Sequence, residues 1–192
     1  DASRMAFLYE KQWYQEDQKN WPDLREYTPS KGKPSCNHAW CHGAPGIALS
    51  RMRAYQLTKI EAFKQEAIDA LTATVVNTQH QLKTGAGNYS LCHGIAGNTY
   101  VLYEAAVLFG NPEYRRIADQ VCMQGIQQYG KWHLTWPSGI NDPSGKTKGQ
   151  QETPGMMMGI AGTAYFYLQM AVGESLPNPL IVRPYVMTEA TV

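Results

Sequence analysis

Two Cys-His-Gly triplets, Cys41-His42-Gly43 and Cys92-His93-Gly94, occupy matching points in two similar segments. Together they offer the soft ligands that a single zinc ion prefers: thiolate and imidazole in tetrahedral geometry, with three protein ligands where the fourth position must stay open for chemistry. Cys41, Cys92 and His93 supply such a set. One Cys-His pair arises readily by chance, whereas two pairs in parallel contexts, Trp40-Cys41-His42-Gly43-Ala44-Pro45-Gly46-Ile47 and Leu91-Cys92-His93-Gly94-Ile95-Ala96-Gly97-Asn98, point to a shared metal. A third copy, Met157-Met158-Gly159-Ile160-Ala161-Gly162-Thr163, keeps the glycines and lacks the ligands. Adjacent ligands cannot converge from a regular helix, so each triplet is expected in a turn entering one, with glycine allowing close backbone approach and unusual dihedrals. Cys36, His38 and His42 are the nearby groups that would close the site as a fourth ligand, and His38 or His42, unligated, could transfer protons. For both histidines packing or hydrogen bonding is the expected role.

The elements that must hold these residues are helical nearly throughout. Apolar spacing predicts a helix over Met5 to Gln15, then a Pro-rich and Gly-containing loop from Asn20 to Ala39. Pro45 suits a first turn, opening a helix to about Leu57, and Lys59 to Lys83 reads as its longer hairpin partner. The unit repeats as Ile95 to Phe109 and, after the capping sequence Asn111-Pro112-Glu113, a helix to about Tyr129. A loop fills Gly130 to Gly155, a third near-apolar helix runs from Gly159 to Val172, and the last segment with Pro177, Pro179 and Pro184 is extended or irregular. In each hairpin the first helix is apolar on most sides and the second amphipathic, which predicts an inner and an outer layer. The glycines that mark the copies, Gly43, Gly94 and Gly159, are unevenly spaced, favouring an α/α toroid with elaborated loops over a regular solenoid.

Composition narrows the function. With 192 residues the chain is expected to be one domain, or a piece of one, over 1–192, and a net charge of +1 removes the electrostatic case for nucleic acid or an anionic membrane as partner. The most apolar stretch, Ile95 to Phe109, is shorter than the roughly 20 residues of a membrane span, so a soluble protein is expected. The Asp1-Ala2-Ser3-Arg4 start lacks an initiator Met and a signal pattern, and reads as a cut inside a longer chain. Four cysteines (Cys36, Cys41, Cys92, Cys122) are sparse for a disulfide framework and fit reduced thiols in the cytosol; Cys122 falls on an apolar helix face. His80 reads as solvated and His133 as a core or loop residue. Gly145-Lys146-Thr147 has no glycine-rich run before it and is no phosphate loop. An α/α-barrel glycosidase would need paired carboxylates; Asp23, Glu104, Asp142 and Glu152 are available, but their spacing suggests no pair.

At the same residues the chain resembles the lanthionine synthetase cyclase family. The segments Trp40 to Gly46, Leu91 to Gly94 and Met158 to Gly162 match its successive motifs in order, and Tyr9-Glu10 with Asn20-Trp21-Pro22-Asp23-Leu24-Arg25 resemble the cyclase region of bifunctional class II synthetases. The resemblance implies an α/α toroid, of which this chain is about the C-terminal half, with zinc held by Cys41, Cys92 and His93. It implies a bacterial cytoplasmic enzyme, joined to an upstream dehydratase, that adds a peptide cysteine to dehydroalanine or dehydrobutyrine in a precursor peptide. The family's proton-transfer residues have no matching positions here, so the catalytic acid and base are expected upstream and the isolated segment is expected to be inactive. Relatives that bind zinc and glutathione, or act as adaptors without cyclase activity, give the alternative expectation.

Overall fold

The computed structural model describes residues 2–25, 27–140 and 152–181. Within them the chain forms six α-helices: α1 (Ala2–Gln12), α2 (Ala44–Thr58), α3 (Glu61–Thr84), α4 (Ile95–Phe109), α5 (Pro112–Tyr129) and α6 (Ile160–Val172). Two single-turn 3-10 segments, Pro29–Lys31 and Gly173–Ser175, complete the regular structure. Among the described residues the only β pairing is in isolated bridges, so the all-α expectation stands. No helix there is long and apolar enough to cross a membrane. Pro184, Asp142 and the Gly145-Lys146-Thr147 segment lie outside the described residues.

Local chemistry sets most boundaries. Asn111 caps α5 by accepting the Glu113 N–H at 3.0 Å, and Pro112 occupies the first turn, where it loses no hydrogen bond. Lys59, in the left-handed region at φ 59°, ends α2 and delays α3 to Glu61. The first helix stops earlier than its periodicity predicts. Gln15 turns back to pair with Asn20 (N–H to O, 2.9 Å), which pulls the chain off the helical path after Gln12.

The helices form two rows. α2, α4 and α6 touch in sequence, while α3 lies against α2 and α4, α5 lies against α4, and α3 and α5 lie against each other. Ten residues of α4 are buried, including Tyr100, Val101 and Leu102, as expected of an inner helix. α5 buries only the stripe Ile117, Ala118, Val121 and Gly125, and α3 buries small residues (Ala67, Ala70, Ala73) with Leu71, allowing close approach to α2. An aromatic cluster, Tyr89, Tyr129, Trp136 and Tyr167, with Tyr89–Trp136 centroids 5.1 Å apart, pins the segment after α5 to the core. Tyr89 also donates its N–H to Pro137 at 2.9 Å, which fixes Ser138 and Gly139 beside the second Cys-His-Gly turn.

α1 attaches differently, since none of its residues is buried. Arg51 of α2, fully buried, donates to Glu10 of α1 and to Glu66 of α3, both at 2.7 Å, and stacks its guanidinium over Phe7 at 3.8 Å. Sequence reading gave no hint of this three-helix tie.

Candidate metal centre

The three glycine-marked turns stand side by side at the N-termini of α2, α4 and α6. Their equivalent positions are linked in line: Cys41 donates its N–H to the Cys92 carbonyl at 3.2 Å, and Cys92 donates to the Met157 carbonyl at 2.8 Å. Each turn folds back tightly on its own helix. A Cβ on Gly46, Gly97 or Gly162 would collide with the carbonyl of Trp40, Leu91 or Met156, six residues earlier in every copy. Close approach is therefore the common reason for these glycines. Unusual dihedrals are needed only at Gly43, with φ 118°, because Gly94 and Gly159 are extended.

The turns bring Cys41, Cys92 and His93 together, with one ligand atom from each within 4.8 Å of the others. Among the described residues no other three His, Cys, Asp or Glu side chains are so arranged. His93 Nε2 lies 2.8 Å from the Gly139 carbonyl. A carbonyl only accepts, so Nε2 carries the proton and Nδ1 keeps its lone pair, the arrangement that outer partners impose on metal-binding histidines. Burial, then contact with the Cys41 thiol, pushes the Cys92 thiol up to about 12. Two neighbouring cysteine sulfurs, with an imidazole presenting its lone pair, are a donor set suited to Zn²⁺. The positive ends of the α2 and α4 dipoles further favour thiolates here.

Other candidates are occupied elsewhere. His38 Nδ1 lies 3.4 Å from the Asn20 amide nitrogen, which donates to it, and the His38 carbonyl accepts from Asn98 at 2.8 Å. Asn20, fully buried, is a hub: its side-chain oxygen accepts from the N–H groups of Trp21 and Ala44, both at 2.7 Å, and so holds the first turn against the loop before it. Cys36 takes part in the bridge to Pro22, and burial raises its pKa. Cys122 packs against the core with its thiol pushed up to about 12 by burial, as a small hydrophobe should. All four cysteines are free. His80 and His133 are exposed, the latter in a loop against Trp132. Asp23 is engaged by Arg25, and Glu152 accepts from the Trp136 N–H at 3.2 Å.

A cavity of about 580 Å³ opens over the cluster, walled by Arg25, His38, His42 and Met158 as well as the three candidate ligands. Cys41, His42 and Arg25 also border a neighbouring cavity of about 680 Å³ whose walls include the aromatic side chains Tyr9, Trp13, Trp21 and Trp40.

The profile of the lanthionine synthetase C-like protein family matches residues 1–181. The chain belongs to this family. Among curated family relatives it is 28% identical over 129 residues to a protein of Danio rerio named Glutathione S-transferase LANCL1, covering 66% of this chain and 27% of that protein. It is 24% identical over 178 residues to the lacticin 481/lactococcin biosynthesis protein LcnDR2 of Lactococcus lactis subsp. lactis, covering 88% of this chain and 17% of that protein. The chain thus spans well under a third of either relative.

Two expected outcomes arise from this geometry. A Cβ at Gly139 would lie 2.6 Å from Cε1 and Nε2 of His93, so Gly139→Ala should displace the imidazole and weaken zinc binding by roughly 10- to 100-fold, as loss of an outer partner does. Competition with a chromogenic chelator reads this directly, and unchanged affinity would remove Gly139 from the account. Separately, burial lowers the His38 pKa from its ordinary 6.5. The folded state favours the neutral ring, so this contribution to stability is complete above about 6.5 and is lost as pH falls through the folded value. His38→Gln should flatten the fall in denaturation midpoint between neutral and mildly acidic pH.

Proposed function

We propose that this chain is the C-terminal part of a zinc-dependent cyclase domain that closes lanthionine and methyllanthionine thioether rings in a precursor peptide. The observation that carries the reading is the convergence of Cys41, Cys92 and His93 from two adjacent helix-entry turns beneath an open cavity. Zinc held there would ionise and orient a substrate cysteine, whose thiol otherwise titrates near 8.5. The chain's own groups prepare that event. The turn ladder fixes the spacing of the two sulfurs, Gly139 sets the tautomer of His93, and the helix N-termini offset the charge of the thiolates. The thiolate adds to the β-carbon of dehydroalanine or dehydrobutyrine, and a proton delivered to the α-carbon completes the ring. We place these six helices in an α/α toroid completed by preceding hairpins, attached to an upstream dehydratase and working in the bacterial cytoplasm. Similarity to a lantibiotic biosynthesis protein over most of the chain supports this arrangement, and free thiols suit a reducing compartment.

The test is to incubate the full-length protein with a dehydrated, cysteine-bearing peptide. Loss of free thiol without a change in mass is expected, whereas residues 1–192 alone should close no ring. The similarity to a protein named as a glutathione S-transferase favours one second reading, a zinc- and glutathione-binding protein without cyclase activity. Glutathione binding with the peptide thiol left untouched would establish it.

A further inference from the structure

Arg25 stands where the cavity over the cluster meets its two neighbours, and it alone lines all three, of about 580, 680 and 590 Å³. Among the described residues that wall the cluster's own cavity, it is the only Lys or Arg. Its orientation is fixed. Nε donates to both oxygens of Asp23, at 2.9 and 3.0 Å, Nη2 donates to Oδ2, and the Arg25 N–H donates to Oδ1 at 3.1 Å. Asn37 in turn donates to Asp23 Oδ2 at 3.3 Å, so the carboxylate is held from two sides. The Arg25 side chain nevertheless remains 65% exposed, while that of Asp23 is 13% exposed. A guanidinium held in place by its carboxylate partner, at the meeting of three cavities, is a preorganised donor.

Ring closure moves charge in a definite direction. The thiolate pair forms the new C–S bond at the β-carbon, the carbon–carbon π pair shifts toward the carbonyl, and the negative charge passes from sulfur to the carbonyl oxygen. A proton then adds at the α-carbon and the carbonyl is restored. The sulfur end of this path belongs beside Cys41, Cys92 and His93. We propose that Arg25 serves the oxygen end, donating to the acceptor carbonyl as the enolate develops. This assignment rests on the cyclase reading and makes Arg25 a catalytic residue, with Asp23 as its positioning partner.

The test uses the full-length, zinc-loaded protein and a dehydrated cysteine peptide. Arg25→Gln should lower kcat on the order of 100-fold or more, the loss typical of an oxyanion donor, with KM little changed. Arg25→Lys, which restores charge without the planar fork, should recover part of the rate, and Asp23→Asn should fall between wild type and Arg25→Gln. Zinc content should be equal in all four proteins. Calorimetric affinity for a peptide carrying alanine in place of the dehydro residue should not change. Wild-type kcat in Arg25→Gln would overturn the assignment. So would a loss confined to KM and matched by weaker binding of the saturated peptide, which would make Arg25 a ground-state anchor. Absence of ring closure by the wild-type protein would instead overturn the cyclase reading and this inference with it.

Discussion

Cys92→Ala should lower zinc affinity by more than about 100-fold and abolish ring closure while leaving the helices intact. Losing an outer partner of a metal ligand costs roughly 10- to 100-fold, so losing a thiolate ligand should exceed that. The fold should survive because the structural work of Cys92 is done by its backbone, which accepts from Cys41 and donates to Met157 whatever the side chain. Zinc content and far-ultraviolet circular dichroism, measured together, check both halves. Retained zinc would contradict the ligand set. The wild-type site should also bind zinc more weakly as pH falls, with proton release on binding. Burial and the Cys41 thiol hold Cys92 protonated when no cation is present, so the metal must displace that proton.

Arg51→Ala should be the most destabilising substitution outside the metal site. The guanidinium is fully buried between Glu10 and Glu66, and its removal takes the Arg51 partner from both carboxylates at a three-helix junction, leaving Glu66 only the Lys11 ammonium at 3.9 Å. Breaking a buried pair by deleting one member costs about 3–5 kcal/mol, and for a chain of this size each kcal/mol corresponds to about 2–4 °C in Tm. Arg51→Met should cost less, because it fills the volume and the glutamates, at 36% and 23% side-chain exposure, can take up water. α1 should loosen first in either variant, since it buries no residue of its own. Hydrogen exchange confined initially to Ala2–Gln12 would show this, and uniform loss of protection would contradict it.

Why some of this was legible in the sequence and some was not follows from the range of the forces involved. α4 and α5 were readable to the residue because their signals are local: an apolar run opening after Gly94, and an Asn-Pro-Glu cap beginning the next helix. The Cys-His-Gly triplets were readable because repetition in parallel contexts is itself a local pattern. Gly139 was not, since it lies 46 residues from His93 in a loop and acts through one carbonyl and the absence of a Cβ. Arg51 carries no local signal on α2, and only tertiary packing shows that its partners come from two other helices. Asn20 fell within a recognised motif, yet its role in capping the first turn depends on Ala44 arriving from 24 residues away. The early end of α1 has the same origin, a Gln15 to Asn20 pairing that overrides helical periodicity.

X-ray absorption at the zinc edge of the purified full-length protein tests the metal assignment most directly. The account predicts about one zinc per chain, with two sulfur scatterers, one imidazole and one lighter exchangeable ligand that gives way to a third sulfur when a cysteine peptide is added. A metal-free protein, or a zinc closed by four protein ligands and indifferent to added thiol, would contradict it.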